Sequence, residues 1–192
     1  MTLIIKKFFI IAYITLIFYK PQYALANQLK IDDYGLVTLM YHRFEENKYP
    51  STNIKINDFL NHIKLIKDEK ISFIHPNDLI DSLRNMKSQR KILITIDDGF
   101  LSFYEKAWPV LREQKIPFIL FVSTREVGKS GYMNWDQIRE VASSKIGVIG
   151  NHSHTHEYLA DSVEEVIIND IQLSRKIFSR ELKKNYYLLL NL

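Results

Sequence analysis

Cysteine is absent from the 192-residue chain. That excludes disulfides and thiolate metal ligands, so any metal must be held by His, carboxylate or carbonyl groups. Internal repeats, low-complexity segments and a composition break that would mark a linker are also lacking, and the length suits one domain better than two. The net charge of +4 is spread along the chain. No run of Lys or Arg marks a nucleic-acid surface, so no nucleic-acid partner is expected. The chain also lacks an apolar run of the roughly 20 residues that a helical bilayer span needs.

A shorter apolar run is present at the start. Lys6 and Lys7 precede the uncharged residues 8–18, and Ala24-Leu25-Ala26 follows. A basic start, a short apolar stretch and a small-x-small site form the pattern of an export signal. Residues 1–26 are therefore expected to be a signal peptide and residues 27–192 the exported domain. An uncleaved anchor built on residues 8–18 is the alternative, and the membrane is expected as a partner only through this segment.

From Gly35 onward, short apolar runs alternate with amphipathic stretches. Strands are expected at residues 36–41, 71–74, 92–96, 119–122 and 146–149. Helices are expected at residues 57–70 with Asn57 as cap, 76–86, 103–115 with a bend at Pro109, 136–142 and 163–182. Alternating strands and helices imply parallel pairing and an α/β sheet or barrel.

Chemistry-bearing residues cluster at the ends of expected strands. Thr95-Ile96-Asp97-Asp98-Gly99 closes the β-branched run at 92–96. Adjacent carboxylates there point in different directions, so one can bind a cation while the other takes a proton. Gly150-Asn151-His152-Ser153-His154-Thr155-His156 holds three of the chain's six His residues within five positions. His152 and His156, four apart, would share one side of a helical turn; His154 at two-residue spacing is the alternative partner. An Asp with two His leaves coordination positions for water and substrate, as a hydrolytic metal centre requires. The same donor set occurs in non-haem iron oxygenases, but oxygen activation does not call for a neighbouring carboxylate base. His42, in Met40-Tyr41-His42-Arg43 at the end of the first strand, shares the expected rim and could protonate a leaving amine.

Thr95–Gly99 followed by His152-x-x-x-His156 resembles the first two motifs of the polysaccharide deacetylase family. Met40-Tyr41-His42 further resembles the poly-β-1,6-N-acetylglucosamine deacetylase branch, in which the motif bearing the catalytic His precedes the paired Asp. Tyr132-Met133-Asn134-Trp135-Asp136 resembles the segment those relatives carry before the second motif. The resemblance spans roughly residues 36–182. It implies a distorted (β/α) barrel and metal-dependent removal of acetyl groups from an N-acetylglucosamine polysaccharide. It makes Asp97 the general base, His42 the general acid, and Asp98, His152 and His156 the ligands of a divalent ion, with zinc the default. Trp135 and Tyr41 become expected sugar contacts. Relatives continue past the last helix with a strand and a Tyr-Pro-Phe-Gly-like motif, where this sequence reads Lys183-Lys184-Asn185-Tyr186-Tyr187 and ends at Leu192. The barrel is accordingly expected to be incomplete at its C-terminal end. A remnant that binds metal or glycan without turnover is the rival reading.

Overall fold

Five parallel strands carry the fold in the computed structural model, which describes residues 35–84 and 90–183. All of these lie in one compact unit, Tyr34–Leu192. The expected signal segment and the last nine residues lie outside the described residues. Among the described residues, no helix is long and apolar enough to cross a membrane.

The strands are β1 (Gly35–Tyr41), β4 (Ser72–Phe73), β5 (Arg90–Ile96), β6 (Phe118–Val122) and β7 (Gly147–Asn151). The sheet runs β1-β5-β6-β7, and β4 pairs with the start of β5. The helices between them are α1 (Ile56–Asp68), α2 (Leu79–Arg84), α3 (Trp108–Gln114), α4 (Trp135–Ser143) and α5 (Glu164–Leu182). Parallel strands joined by helices form the wall of a (β/α) barrel, distorted where β1 rather than β4 runs the length of β5. Two short strands, β2 (Arg43–Phe44) and β3 (Asn53–Ile54), form a separate ribbon beyond β1.

Side chains alternate across the sheet, as the strand period of two requires. Ile92, Ile94 and Ile96 of β5 join Phe118, Leu120 and Val122 of β6 in the main core, packed with Phe59, Trp108, Leu111 and Phe178. Leu93, Ile119 and Phe121 point the other way into a small second core with Ile74. Both faces of β5 and β6 are thus buried. This explains why residues 92–96 and 118–122 are apolar apart from Thr95, the pattern of a parallel sheet covered on both sides.

The expected elements shift where local chemistry intervenes. α1 starts at Ile56, not at an Asn57 cap, because Glu45 Oε1 reaches over from the ribbon and accepts the Ile56 N–H at 2.7 Å. Residues 103–107 form a π turn ahead of α3. Pro109 falls in the first turn of that helix, where its missing N–H costs little. The expected helix over 76–86 divides into a 3₁₀ turn, Pro76–Asp78, and the short α2.

Register positions the functional residues. β1 and β5 pair from Gly35↔Arg90 to Tyr41↔Ile96, so both end at the same level. The Asp97 N–H donates to the Tyr41 carbonyl at 2.8 Å and extends that pairing by one step. On the other side Val122 of β6 is level with Asn151 of β7, and the His152 N–H donates to the Val122 carbonyl at 3.1 Å. His42, Asp97, Asp98 and His152 therefore leave the carboxyl ends of three strands on one rim, the usual ligand-binding edge of parallel α/β sheets.

Candidate metal centre

Asp98, His152 and His156 converge. Asp98 Oδ1 lies 3.2 Å from His152 Nε2 and 2.9 Å from His156 Nε2. Each residue offers one ligand atom, and all three atoms lie within 4.8 Å of one another. The Asp98 and His152 side chains are 11% and 14% exposed, whereas His156 is 50% exposed and leaves the group open on its side.

This group fits a divalent ion better than it fits a hydrogen-bonded cluster. Asp98 Oδ1 is buried and has no hydrogen-bond partner, although two imidazole nitrogens face it. Two donors each about 2.1 Å from one tetrahedral ion stand roughly 3.4 Å apart, comparable to the 3.2 and 2.9 Å seen here. Carboxylate and imidazole donors without thiolate suit zinc and other divalent transition ions.

The backbone is bent to achieve this. Asp98 has φ 73°, followed by Gly99 at 71°, so two consecutive left-handed residues swing the carboxylate back over the strand end. Ser153 and His156 also have positive φ, 67° and 59°. Non-glycine residues held in this region cost on the order of 1–3 kcal/mol each and cluster at functional sites. His152 and His156 are therefore not on a helical turn, as their four-residue spacing suggested. An extended loop with two left-handed residues brings them to the same point.

His154, the alternative partner, is turned away. Its Nδ1 lies 2.8 Å from the Thr124 hydroxyl, and it is not in the converging group. Below His152 the Phe121 ring passes at 6.4 Å between centroids. It can do so because β7 has Gly150 there: a Cβ at that position would stand 2.0 Å from two Phe121 ring carbons.

Asp97 and Asp98, adjacent and both buried, have opposite electrostatics. Burial pushes the Asp97 carboxyl above its ordinary range, only partly offset by the imidazoles of His152 and His42. Burial also disfavours ionised Asp98, but the facing His152 and His156 imidazoles outweigh it and hold that carboxyl well below the usual range. The Asp98 carboxylate in turn raises His156. One carboxylate is thus held as a fixed anion and its neighbour is left with raised proton affinity, the division of labour that a metal ligand beside a proton acceptor requires.

Tyr41 and Trp135, the two expected sugar contacts, both pack against aromatic neighbours. The Tyr41 ring is buried against Phe44 and Phe59, its hydroxyl 3.0 Å from His62 Nδ1, and burial pushes its pKa to about 12. Strand alternation turns it into the core, away from the rim. Trp135 opens α4 behind a capping box formed by Asn134 and Gln137, and its ring meets Phe178 edge-on at 5.8 Å. Arg43, not singled out from the sequence, is sandwiched between Phe100 and Tyr49 at 3.4 and 4.0 Å from the ring centroids and pairs with Glu46 at 2.7 Å. Arg43 directly follows His42, so these contacts anchor the chain beside it.

Comparison with known proteins agrees with this geometry. The polysaccharide deacetylase family model matches residues 84–190, more than half of the chain. The chain belongs to the polysaccharide deacetylase family. YxkH of Bacillus subtilis is 28% identical over 126 residues, covering 65% of this chain and 43% of that protein. The poly-β-1,6-N-acetyl-D-glucosamine N-deacetylase of Staphylococcus aureus is 25% identical over 186 residues, covering 82% of this chain and 64% of its own length. The chain thus spans less than two thirds of either relative. Among solved structures, IcaB from Ammonifex degensii superposes with a TM-score of 0.72 at 27% identity, covering 81% of this chain and 73% of that one. The Streptococcus pyogenes deacetylase PplD has the same fold, with a TM-score of 0.70 at 20% identity, covering 80% of this chain and 72% of its own.

Proposed function

We propose that this polysaccharide deacetylase hydrolyses the acetamide of N-acetylglucosamine residues in a polysaccharide, using a divalent ion held by Asp98, His152 and His156. The observation that carries the reading is the convergence of those three side chains beside the buried Asp97. The Staphylococcus aureus relative, named for deacetylation of poly-β-1,6-N-acetyl-D-glucosamine, supports the substrate class.

Zinc is the expected ion, and when bound it supplies Lewis-acid polarisation of the amide carbonyl and lowers the pKa of water. Asp97 then accepts the proton of the attacking water; its raised proton affinity suits that task. His42, close enough to Asp97 to influence its charge, donates a proton to the amine nitrogen as the carbon–nitrogen bond breaks. Acetate and a free amine leave. The buried, strained backbone around Asp98 keeps the ligand oxygen in place while Asp97 stays free to change protonation.

Such an enzyme acts outside the cell, and the export pattern at residues 1–26 fits that location. Metal binding without turnover is the second reading. Mass spectrometry of N-acetylglucosamine oligomers after incubation with the zinc-loaded protein tests the proposal. Products lacking acetyl groups are expected, and unchanged oligomers with a fully metal-loaded protein would favour the second reading.

A further inference from the structure

The proposed mechanism leaves one buried carboxylate unused. Asp170 lies on α5 and is 7% exposed. Its Oδ1 accepts the His154 backbone N–H at 2.6 Å, and its Oδ2 accepts the Thr155 N–H at 2.9 Å together with the Thr155 hydroxyl. Four residues further along the same helix, buried Ser174 accepts from Asn151 Nδ2 at 2.8 Å and donates to the Ile171 carbonyl. The helix thus grips the chain on both sides of His152.

The backbone of residues 152–156 shows what this grip does. Its carbonyls are held from the β6 side: Ser123 donates to the His152 carbonyl at 2.7 Å, Thr124 N–H to Ser153 at 3.2 Å, and Arg125 N–H to His154 at 3.0 Å. Past His152, whose N–H still pairs with the Val122 carbonyl of β6, its N–H groups turn to other acceptors. His154 and Thr155 give theirs to Asp170, and His156 gives its own to the Ser153 hydroxyl at 3.0 Å. The segment is clamped between a row of donors and one carboxylate. Ser153 and His156, the two left-handed residues, flank the pair that Asp170 holds. Such conformations persist only when their surroundings over-determine them. A carboxylate accepting several N–H and O–H bonds is a strong local restraint.

We infer that Asp170 is a positioning residue for the metal site: its carboxylate fixes the 154–155 backbone so that His152 and His156 keep their Nε2 atoms turned to Asp98. The inference rests on the proposed metal-binding role of those three side chains. An amide in place of the carboxylate would keep one acceptor and present an NH₂ to the other donors, so Asp170→Asn removes the restraint with little change in volume.

The test uses the full chain with Co(II) as probe. Wild type, Asp170→Asn and Thr155→Val are compared for Co(II) affinity and absorption spectrum well below their melting temperatures. Amide hydrogen exchange at His154 and Thr155 is followed in parallel. Asp170→Asn should weaken Co(II) binding by about ten- to a hundredfold, the range for losing a partner that orients metal ligands. It should also alter the Co(II) spectrum and release both amides. Thr155→Val, which removes the hydroxyl bond to Asp170 and the longer one from the Glu157 N–H, should weaken binding less, and it decides the question by the same readouts if Asp170→Asn does not fold. A folded variant that melts earlier yet binds Co(II) within twofold of wild type, with an unchanged spectrum, would overturn the inference and leave Asp170 a stability residue. Failure of the proposed function looks different: the wild-type chain itself would then bind no Co(II).

Discussion

The Asp97 N–H donates to the Tyr41 carbonyl at 2.8 Å, tying the end of β5 to the end of β1, which His42 directly follows. The proposed proton acceptor, Asp97, and the proposed proton donor, His42, thus follow neighbouring strands held in fixed register.

That arrangement separates catalysis from metal binding. Asp97→Asn and His42→Ala should each keep wild-type metal content while slowing acetate release. Loss of a general base or acid typically costs about 10²–10⁴ in rate. Metal analysis alongside turnover checks this, and a near-wild-type rate in either variant would remove that residue from its role.

His156 and His154 should differ sharply. His156→Ala deletes a donor that faces Asp98 at 2.9 Å, whereas His154→Ala loses only a contact with the Thr124 hydroxyl. Against the roughly 10–16 kcal/mol of strong structural zinc sites, His156→Ala should weaken binding by several kcal/mol and His154→Ala should change it little. Competition titration with a chromophoric chelator measures both. The opposite ranking would mean that the wrong histidines have been paired.

Gly150→Ala should be destabilising. The added methyl would meet the Phe121 ring at 2.0 Å, and the ring lies beneath His152. Overpacking of this kind typically costs about 1–3 kcal/mol. Thermal melting should show the loss, and metal affinity should fall with it because the displaced ring supports a ligand. A variant as stable as wild type would show that Phe121 has room to move.

Acid stability should carry the signature of Asp170. Burial opposes its ionisation, but the N–H groups of His154 and Thr155 and the Thr155 hydroxyl prevail, and the folded pKa is lowered. A lowered folded pKa contributes stability that is fully present above the unfolded value of about 3.9 and is lost as pH falls through the folded value. Asp170→Asn should therefore lower stability near neutral pH and flatten its dependence on pH below about 4, as denaturant titrations across that range would reveal. An unchanged acid slope would remove Asp170 as a source of it.

Much of the framework is legible in the sequence for identifiable reasons. The run from Ile92 to Ile96 contains only β-branched residues and Leu, and a strand buried on both faces needs no polar alternation to announce it. The strand-end clusters at Asp97-Asp98 and His152–His156 are equally visible, because their residue types are rare in such density. The burial of Tyr41 is not legible in the same way, because one step along a strand reverses the face and only the register with β5 decides which face is the core. Asp170 and Ser174 escape notice because polar residues in a helix read as a solvated side. Their burial depends on where α5 docks against β7 and the loop after it. The positive φ values at Asp98, Ser153 and His156 leave no local mark, since none of these residues is glycine. The surrounding hydrogen bonds impose those conformations.

On the proposed function, the Asp98–His152–His156 group holds an ion without which the acetamide is not cleaved. This requirement is tested most directly by following acetate release from N-acetylglucosamine oligomers before chelation, after chelation and after zinc is restored. Release should disappear on chelation, return with zinc and stay absent in Asp98→Ala under all three conditions. Release that persists at an undiminished rate in the metal-free protein, or in folded Asp98→Ala, would contradict it.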